Sequence, residues 1–175
     1  MIQNLPLRFI FNPDKANNAM LYVCQQLGSV GKHELMKILY FADQKHLVRY
    51  GRFITGDRYI VMEYGSVPSK SYDIVKSNAQ PHALFNFIGK NKVTGNYLPN
   101  MDQFSESDLE CLIESIEENK DLSFQALVEK SHKQAYDKAG LNNEIKSEDI
   151  AIEGGANEEM LKYIKLQLEN QNDFL

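Results

Sequence analysis

The feature that most constrains the fold is a run at residues 35–42, in which only Lys37 is neither apolar nor aromatic. A helix that is apolar on almost every side is buried inside a protein rather than placed on its surface. Gly51 stands where a glycine commonly ends a helix. The sequence therefore predicts a central buried helix at about 32–50. Four residues form one narrow polar line along this helix: His33, Lys37, Tyr40 and Gln44. This polar line is either the helix's solvent window or the edge of a binding surface.

Signals for a small β element and for further helices flank this central helix. Residues 58–64 are rich in β-branched and aromatic residues, which is typical of a short strand, and Gly65-Ser66 is expected to end it. Pro68 suits the first turn of a helix that runs to about residue 78. Further helices are predicted at 13–27, from 104–108 onward with Leu109, Leu112, Ile113 and Ile116 buried, at 124–139 and at 157–170, together with a second hairpin at 84–97.

Length and composition bound the fold class. At 175 residues, a single domain spanning 1–175 is the expectation. Hydrophobic residues make up 43% of the chain and charged residues 25%, which are ordinary values for a globular protein. The predicted elements describe a mainly α fold with a small antiparallel β element. We therefore expect an α+β protein, a compact helical domain built around the helix at about 32–50.

Charge is unevenly distributed along the chain. The net charge is −5, but residues 1–100 carry +6 and residues 101–175 carry −11. Such asymmetry indicates either a surface for a charged partner or two halves that face each other or are simply solvated, and the second interpretation is the simpler one. The acidic balance and the lack of a helix-turn-helix signature argue against a nucleic-acid partner.

The cysteine and hydropathy patterns favour a reducing compartment. Cys24 and Cys111 lie far apart in apolar helical patterns, and they form neither a metal-ligand spacing nor a disulfide framework. The first residues lack a secretory leader, and no window approaches the roughly 18 apolar residues of a membrane span. These observations predict a cytoplasmic protein without a membrane anchor.

Three motifs in one continuous stretch resemble a known family. They read K-I-L-Y-F-A-D-x-x-H-L at 37–47, Y-G-R-x-I-T-G-D at 50–57 and Y-G-x-V-P-S-x-x-Y-D at 64–73. A fourth motif, S-H-x-x-x-Y, begins at Ser131. The chain is similar to the Panacea domain, a family that includes SocA-like antitoxins and phage-associated proteins and was formerly a domain of unknown function. The family usually has a proline directly after the glycine at Gly65, where Ser66 stands in this chain.

The resemblance implies an antitoxin of a toxin–antitoxin system, which neutralises a co-encoded protein toxin by direct binding and needs neither enzymatic activity nor a cofactor. The alternative within the family is a proteolytic adaptor that delivers the toxin to a protease complex. Tyrosines and basic side chains near the short strand are typical of an interface with aromatic anchors and a charged rim. The predicted partner-binding residues are Lys37, Tyr40, Arg49, Arg52, Arg58, Tyr64 and Tyr72.

A different class of function would use the polar residues of these motifs. Asp43 and His46 share one helix face, and with His132 they would suit a small metal-dependent or acid–base enzyme. No further ligand follows at a recognised spacing, so we interpret these residues as structural and predict no metal site. In this interpretation, His46 and His132 hold helices together and Asp57 caps a turn. The residues assigned to this structural motif are Leu39, Asp43, His46, Gly56, Asp57, Gly65, Val67, Pro68 and His132.

Overall fold

The computed structural model describes residues 7–77 and 82–172. Helices dominate this part of the chain, which confirms the predicted mainly α fold with small antiparallel sheets. Asn12 begins the first helix as predicted, because its side chain accepts a hydrogen bond from the Lys15 N–H at 3.0 Å. The helices are α1 Pro13–Leu27, α2 Lys32–Tyr50, α3 Ser69–Lys76, α4 Glu106–Asn119, α5 Phe124–Ser131, α6 Gln134–Ala139, α7 Ser147–Glu153 and α8 Glu158–Asn172, with a short 3-10 helix at Met101–Gln103.

The strands form two small antiparallel sheets. A hairpin of β2, Tyr59–Met62, and β3, Gly65–Pro68, makes one sheet. The predicted second hairpin is also present, as β4, Phe85–Ile88, and β5, Lys92–Gly95. The two-residue strand β1, Val30–Gly31, pairs with β5 and completes the second sheet in the order β1-β5-β4. The pairing with β1 was not predicted, because two residues carry no periodic signal.

Helix α2 runs through the middle of the fold, as its apolar sequence predicts. Every residue from 35 to 42 is at most 5% exposed. One side of the helix packs in a hydrophobic cluster with α1, α4 and the three-stranded sheet. The other side packs in a second cluster with β2 and the helices from α5 to α8. The side chains of α2 therefore belong to both clusters, and the helix ends at Gly51, whose N–H donates to the Leu47 carbonyl at 3.0 Å.

Truncation of Leu39 tests this central position. Its side chain is 2% exposed within the first cluster, so Leu39→Ala removes apolar contacts and leaves a cavity. We expect the free energy of unfolding to fall by about 3 kcal/mol in urea denaturation. Leu166→Ala is the matched control, since Leu166 is 51% exposed on α8 and its truncation should change stability by less than about 0.5 kcal/mol. Equal losses in the two variants would contradict the central placement of α2.

Three local predictions are wrong. Gly65-Ser66 does not end the β element, because the chain turns at Glu63-Tyr64 and residues 65–68 form the second strand of the hairpin. Pro68 accordingly precedes α3 instead of lying in its first turn. The helix predicted at 124–139 is also interrupted, since it ends at Ser131 and a new helix begins at Gln134. The predicted end of α3 near residue 78 lies outside the described residues.

The interruption of the predicted helix at 124–139 has a physical reason. The Glu153 carboxylate accepts a hydrogen bond from the Ala135 N–H at 2.8 Å, which satisfies a free donor in the first turn of α6. A separate helix start is thereby stabilised by a residue that lies far away in the sequence.

In α4, Ile113 is 45% exposed although it was predicted to be buried, because the inward face instead carries Cys111, Leu112, Ser115 and Ile116.

The uneven charge of the chain is largely explained by contacts between its two halves. Cations of residues 1–100 pair with carboxylates of residues 101–175 in several places, for example Lys15 with Asp108 at 2.7 Å and Lys45 with Glu118 at 2.7 Å. This finding supports the interpretation that the halves face each other. The other cations that pair across the halves are Arg8, Arg49, Arg52 and Arg58.

Candidate functional site

An open apolar groove of about 700 Å³ lies beside the start of α2. Its walls come from the start of α2, the turn of the β2–β3 hairpin, α3 and the start of α5. The buried side chains of Met36, Val67 and Leu127 contribute to its lining. We call this surface the α2–hairpin groove. It is lined by Gly31, Lys32, His33, Glu34, Met36, Met62, Glu63, Tyr64, Val67, Tyr72, Asn91, Leu122, Phe124 and Leu127.

Three rings form an aromatic cluster in this groove. The ring centroids of His33 and Phe124 are 4.5 Å apart, and those of Tyr64 and Phe124 are 5.4 Å apart. Tyr64 and Phe124 are each 51% exposed, so half of each side chain remains in contact with water. Large aromatic side chains that are held by neighbours but half exposed are typical anchors for a protein partner.

His33 links the hairpin turn to α2. Because a backbone carbonyl only accepts, the His33 Nε2–H donates to the Tyr64 carbonyl at 2.9 Å. Burial lowers the pKa of the His33 imidazole, which keeps the ring neutral at pH 7 and leaves Nδ1 as an acceptor. No donor reaches this Nδ1 within the described part of the chain. This Nδ1 atom is itself buried, so it lies beneath the surface of the groove.

Lys37 and Tyr40 do not reach this surface, so their prediction as partner-binding residues is corrected. Both side chains are fully buried. The Lys37 ammonium donates to the Ser66 carbonyl at 2.8 Å, and the Tyr40 hydroxyl donates to Glu153 at 3.1 Å. The polar line on α2 is therefore neither a solvent window nor the edge of a binding surface at these two positions. It faces β3 and the α6–α7 region inside the protein.

The buried Lys37 explains why a glycine follows the hairpin turn. Burial lowers the pKa of the Lys37 amine to about 7. A Cβ atom at Gly65 would overlap with Lys37 Nζ and Ser131 Oγ, and the backbone there has φ of 107°, which glycine adopts most readily. Gly65 is thus required both by its conformation and by the close approach of Lys37. Ser66 Oγ is buried and finds no partner in the part of the chain that the structure describes.

Asp43 organises the segment that follows α2. Its Oδ1 accepts from the Ile54 N–H at 2.6 Å, and its Oδ2 accepts from the hydroxyls of Thr55 at 2.9 Å and Tyr59 at 2.6 Å. Burial raises the pKa of the Asp43 carboxyl to about 6, although these hydrogen bonds act in the opposite direction. The side chain is 1% exposed and fully engaged. All of these contacts are made to the segment at 54–59 within the protein.

Asp57 caps a helix from outside it. Its Oδ1 accepts from the Arg58 and Lys70 N–H groups at 2.8 and 3.1 Å, and its Oδ2 accepts from the N–H and the hydroxyl of Ser71, both at 2.8 Å. A carboxylate at this place satisfies free donors in the first turn of α3 and complements the positive helix end. Asp57 was predicted to cap a turn, and these contacts lie at the start of α3.

His46 joins α2 to the start of α4. Its Nδ1–H donates to the Arg52 carbonyl at 2.9 Å, and its Nε2 accepts from the Ser107 hydroxyl at 2.9 Å. Burial lowers the pKa of His46 to about 4, so the ring is neutral and its contact with Asp108 at 3.3 Å is not an ion pair at pH 7. These contacts connect α2 with the start of α4, and the role of His46 in holding helices together stays a prediction.

The predicted basic side chains are occupied by contacts within the chain. Arg49 pairs with Glu110 and Glu114, at 3.1 and 2.7 Å. Arg52 donates to Asp108 at 2.9 Å. Arg58 pairs with Glu144 at 3.7 Å. None of these arginines lines the α2–hairpin groove, whereas the predicted tyrosines Tyr64 and Tyr72 both do. The structure thus separates the predicted aromatic anchors from the predicted charged rim.

Asp43, His46 and His132 are not brought together as an enzyme site would require. Each has its own set of partners, and no hydrogen bond or ion pair joins two of them in residues 7–77 and 82–172. His132 ends α5 and stacks on Tyr136, with ring centroids 4.0 Å apart. Within the same residues, no group of three or more His, Cys, Asp or Glu side chains is arranged to hold a metal ion.

The remaining residues of the predicted structural motif lie around these polar groups. Leu39 is in the core, Gly56 is buried where a Cβ would meet the Ile10 carbonyl, and Val67 and Pro68 are buried in β3. The sequence reasoning missed Phe124, Met62 and Leu122, which line the groove. The sequence did contain a signal for Phe124. This large aromatic residue directly follows the capping Ser123 and lies outside the buried face of α5.

Comparison with known proteins agrees with the motifs. A family model described as antitoxin SocA-like, Panacea domain, matches residues 35–136, which is more than half of the chain. The matched range contains most of the groove lining, from Met36 on α2 to Leu127 on α5. Neither a curated protein nor a solved structure is significantly similar to the chain. Among the described helices, none combines the length and the hydropathy needed to cross a bilayer. This chain belongs to the SocA-like antitoxin family with a Panacea domain.

Proposed function

We propose that this protein is a cytoplasmic antitoxin that neutralises a co-encoded protein toxin by direct binding, and that the α2–hairpin groove is the binding surface. The observation that carries the proposal is the aromatic cluster of His33, Tyr64 and Phe124 in an open apolar groove. The groove is built largely from the residues that match the antitoxin family. The match to an antitoxin family and the concave apolar surface on the matched residues both support a protein that binds a toxin.

The chemistry of the groove favours binding over catalysis. Its charged lining residues are Lys32, Glu34 and Glu63, and Glu34 already accepts a hydrogen bond from the Gly31 N–H at 3.4 Å. Among the residues of the family motifs, Asp43, His46 and Asp57 are engaged elsewhere in hydrogen bonds, and His132 stacks on Tyr136. A surface with exposed aromatic groups and few polar ones gains binding energy mainly from the burial of apolar area.

Rescue from toxicity tests the proposal. The toxin is taken to be the product of the neighbouring reading frame, expressed together with the antitoxin in a sensitive host. The intact protein should restore growth, whereas Phe124→Ala and Tyr64→Ala should each lose at least about tenfold in affinity for the purified toxin, because they remove central anchors. Growth and titration calorimetry are the measurements. Circular dichroism must show that both variants remain folded.

Two controls make the result specific. Tyr97 is 49% exposed and does not line the groove, so Tyr97→Ala should rescue fully. Arg58→Glu should also rescue, since Arg58 pairs with Glu144 away from the groove. Rescue by both groove variants, together with loss of rescue by charge reversals in residues 101–175, would place the interface on the acidic half instead. An undiminished amount of toxin during rescue would support occlusion over delivery to a protease.

A further inference from the structure

We infer that the groove accepts an amphipathic helix of the toxin, with bulky apolar side chains on one face and at least one lysine or arginine beside them. The inference rests on the proposed function and names the kind of segment that would fill the groove. It stands on three observations: the pairing of strand β2 on both of its sides, the apolar lining with adaptable methionines, and an excess of carboxylates over ammonium groups in the lining.

In the part of the chain that the structure describes, strand β2 offers no free edge to an added strand. Strand β2 is paired on one side with β3 and on the other with the segment at 142–145, where Val61 N–H donates to the Asn143 carbonyl at 2.9 Å. The Ser66 carbonyl accepts from Lys37, and the Asn91 carbonyl accepts from the Lys32 N–H at 2.7 Å. A bound strand would leave its own donors and acceptors unpaired against an apolar surface, whereas a helix satisfies them internally.

The lining suits the apolar face of such a helix. Met36 and Met62 contribute flexible thioether side chains, which adapt their shape to different neighbours. Tyr64, Tyr72 and Phe124 contribute ring surfaces that can contact side chains spaced three or four residues apart along a helix. A volume of about 700 Å³ is in the range of pockets that bury large organic groups, so it has room for several such side chains.

The charge of the lining selects a basic helix. Glu34 and Glu63 line the groove, and Asp121 lies close to Glu34. Burial and, more weakly, Asp121 raise the pKa of the Glu34 carboxyl, although the Gly31 N–H and Lys92 act in the opposite direction. A nearby cation from a partner would favour the charged form of this carboxylate.

The cations close to the groove leave one carboxylate in excess. The lining holds Glu34 and Glu63 against the single ammonium of Lys32, which lies over the Phe87 ring, 5.2 Å from its centroid. Near Glu34, the opposite charges of Asp121 and Lys92 offset each other. A helix that brings an ammonium or a guanidinium group therefore supplies the positive charge that the lining lacks.

Selection from a random library of 16-residue peptides displayed on phage tests the inference without the toxin. The bait is the full-length protein, and binders that also bind the Phe124→Ala variant are discarded. We expect enriched peptides with apolar residues at spacings of three and four and with more lysine and arginine than aspartate and glutamate. Their synthetic forms should become helical on binding, as measured by circular dichroism. Enriched peptides that are acidic, or that remain extended when bound, would overturn the inference, and so would the absence of any groove-dependent peptide.

Charge reversal provides the second measurement. The double variant Glu63→Lys and Asp121→Lys should weaken binding of the selected peptides by about three- to tenfold, and the loss should shrink with added salt. Glu169→Lys on α8, outside the groove, is the matched control and should leave the affinity unchanged. Tighter binding by the double variant would contradict a basic partner.

The two proposals fail in different ways. If groove-dependent basic helical peptides are selected but the protein rescues no neighbouring toxin, the proposed antitoxin function is wrong and the chemistry of the groove stands. If rescue depends on Phe124 and Tyr64 but the selected peptides are extended or acidic, the antitoxin function stands and the helical partner is wrong.

Discussion

Replacement of Asp43 by alanine is expected to lower the free energy of unfolding by about 3–6 kcal/mol, which exceeds the loss expected for Leu39→Ala. The reason is the number of donors that depend on one buried carboxylate. The N–H groups of Ile54 and Thr55 and the Thr55 hydroxyl would lose their acceptor, and each buried unpaired group costs about 1–3 kcal/mol. The Tyr59 hydroxyl keeps only its longer contact of 3.4 Å to the Leu39 carbonyl.

Asp43→Asn is the matched control for this prediction. The asparagine carbonyl can still accept from the two N–H groups, and the hydroxyls can rotate to accept from its NH₂ group. We therefore expect a loss of about 1–2 kcal/mol, well below that of the alanine variant. Urea denaturation at pH 7, followed by circular dichroism, measures both values. If Asp43→Ala and Asp43→Asn cost the same small amount, the carboxylate does not organise the segment from 53 to 59.

Much of the local structure could be predicted because the determining residues are close together in the sequence. The apolar run at 35–42 predicts the buried helix, Asn12 predicts the start of α1, and Ser105 lies within the segment predicted to open α4. Turn residues at 89–92 predict the hairpin of β4 and β5. Caps, glycines and hydrophobic periods act over a few residues, so a single sequence carries them completely.

The environment of polar side chains could not be predicted in the same way. Spacing on α2 identifies Lys37 and Tyr40 as polar positions, but only the packing of β3 and α7 shows that both are buried. The partners of Arg49 and Arg58 lie more than 60 residues away along the chain, so no local pattern reveals that these cations are occupied. Reasoning from the sequence therefore overestimates the number of charged side chains that are free for a partner.

Only part of the groove could be predicted, because its residues come from segments that lie far apart in the sequence. Tyr64 and Tyr72 flank one recognisable turn and were predicted as partner-binding residues, a role that the rescue experiment tests. Phe124 belongs to a helix about 60 residues further along the chain, and its ring reaches Tyr64 only in the folded protein. Residues that create a surface by converging from separate elements leave no shared motif, so the structure is needed to identify them.

Lys37 should contribute a gain in stability as the pH rises between about 7 and 9, and replacement of Lys37 by methionine should remove this contribution. Burial lowers the pKa of the Lys37 amine from its ordinary value of 10.5 to about 7 in the folded protein. In this pH range the unfolded chain holds a proton on Lys37 that the folded chain has released. Stability therefore increases with pH, by at most about 1.4 kcal/mol per pH unit, until the unfolded amine also titrates.

Methionine suits the test because it fills much of the lysine stem with apolar atoms and cannot take up a proton. Loss of the hydrogen bond to the Ser66 carbonyl shifts the stability of Lys37→Met by an amount that does not depend on pH. The two neighbouring imidazoles, His33 and His132, have lowered pKa values and are neutral throughout this range. The difference between the wild-type protein and Lys37→Met should thus grow by about 2 kcal/mol from pH 7 to pH 9.

Urea denaturation at half-unit steps of pH measures this difference, with Lys45→Met as the control on the same helix. Lys45 pairs with Glu118 at the surface, so its removal should shift the curve without changing its dependence on pH between 7 and 9. Parallel curves for the wild-type protein and Lys37→Met would show that the Lys37 amine remains charged in the folded state. In that case a carboxylate or an ordered water must contact the Lys37 ammonium group, and its environment beneath Gly65 would be more polar than described above.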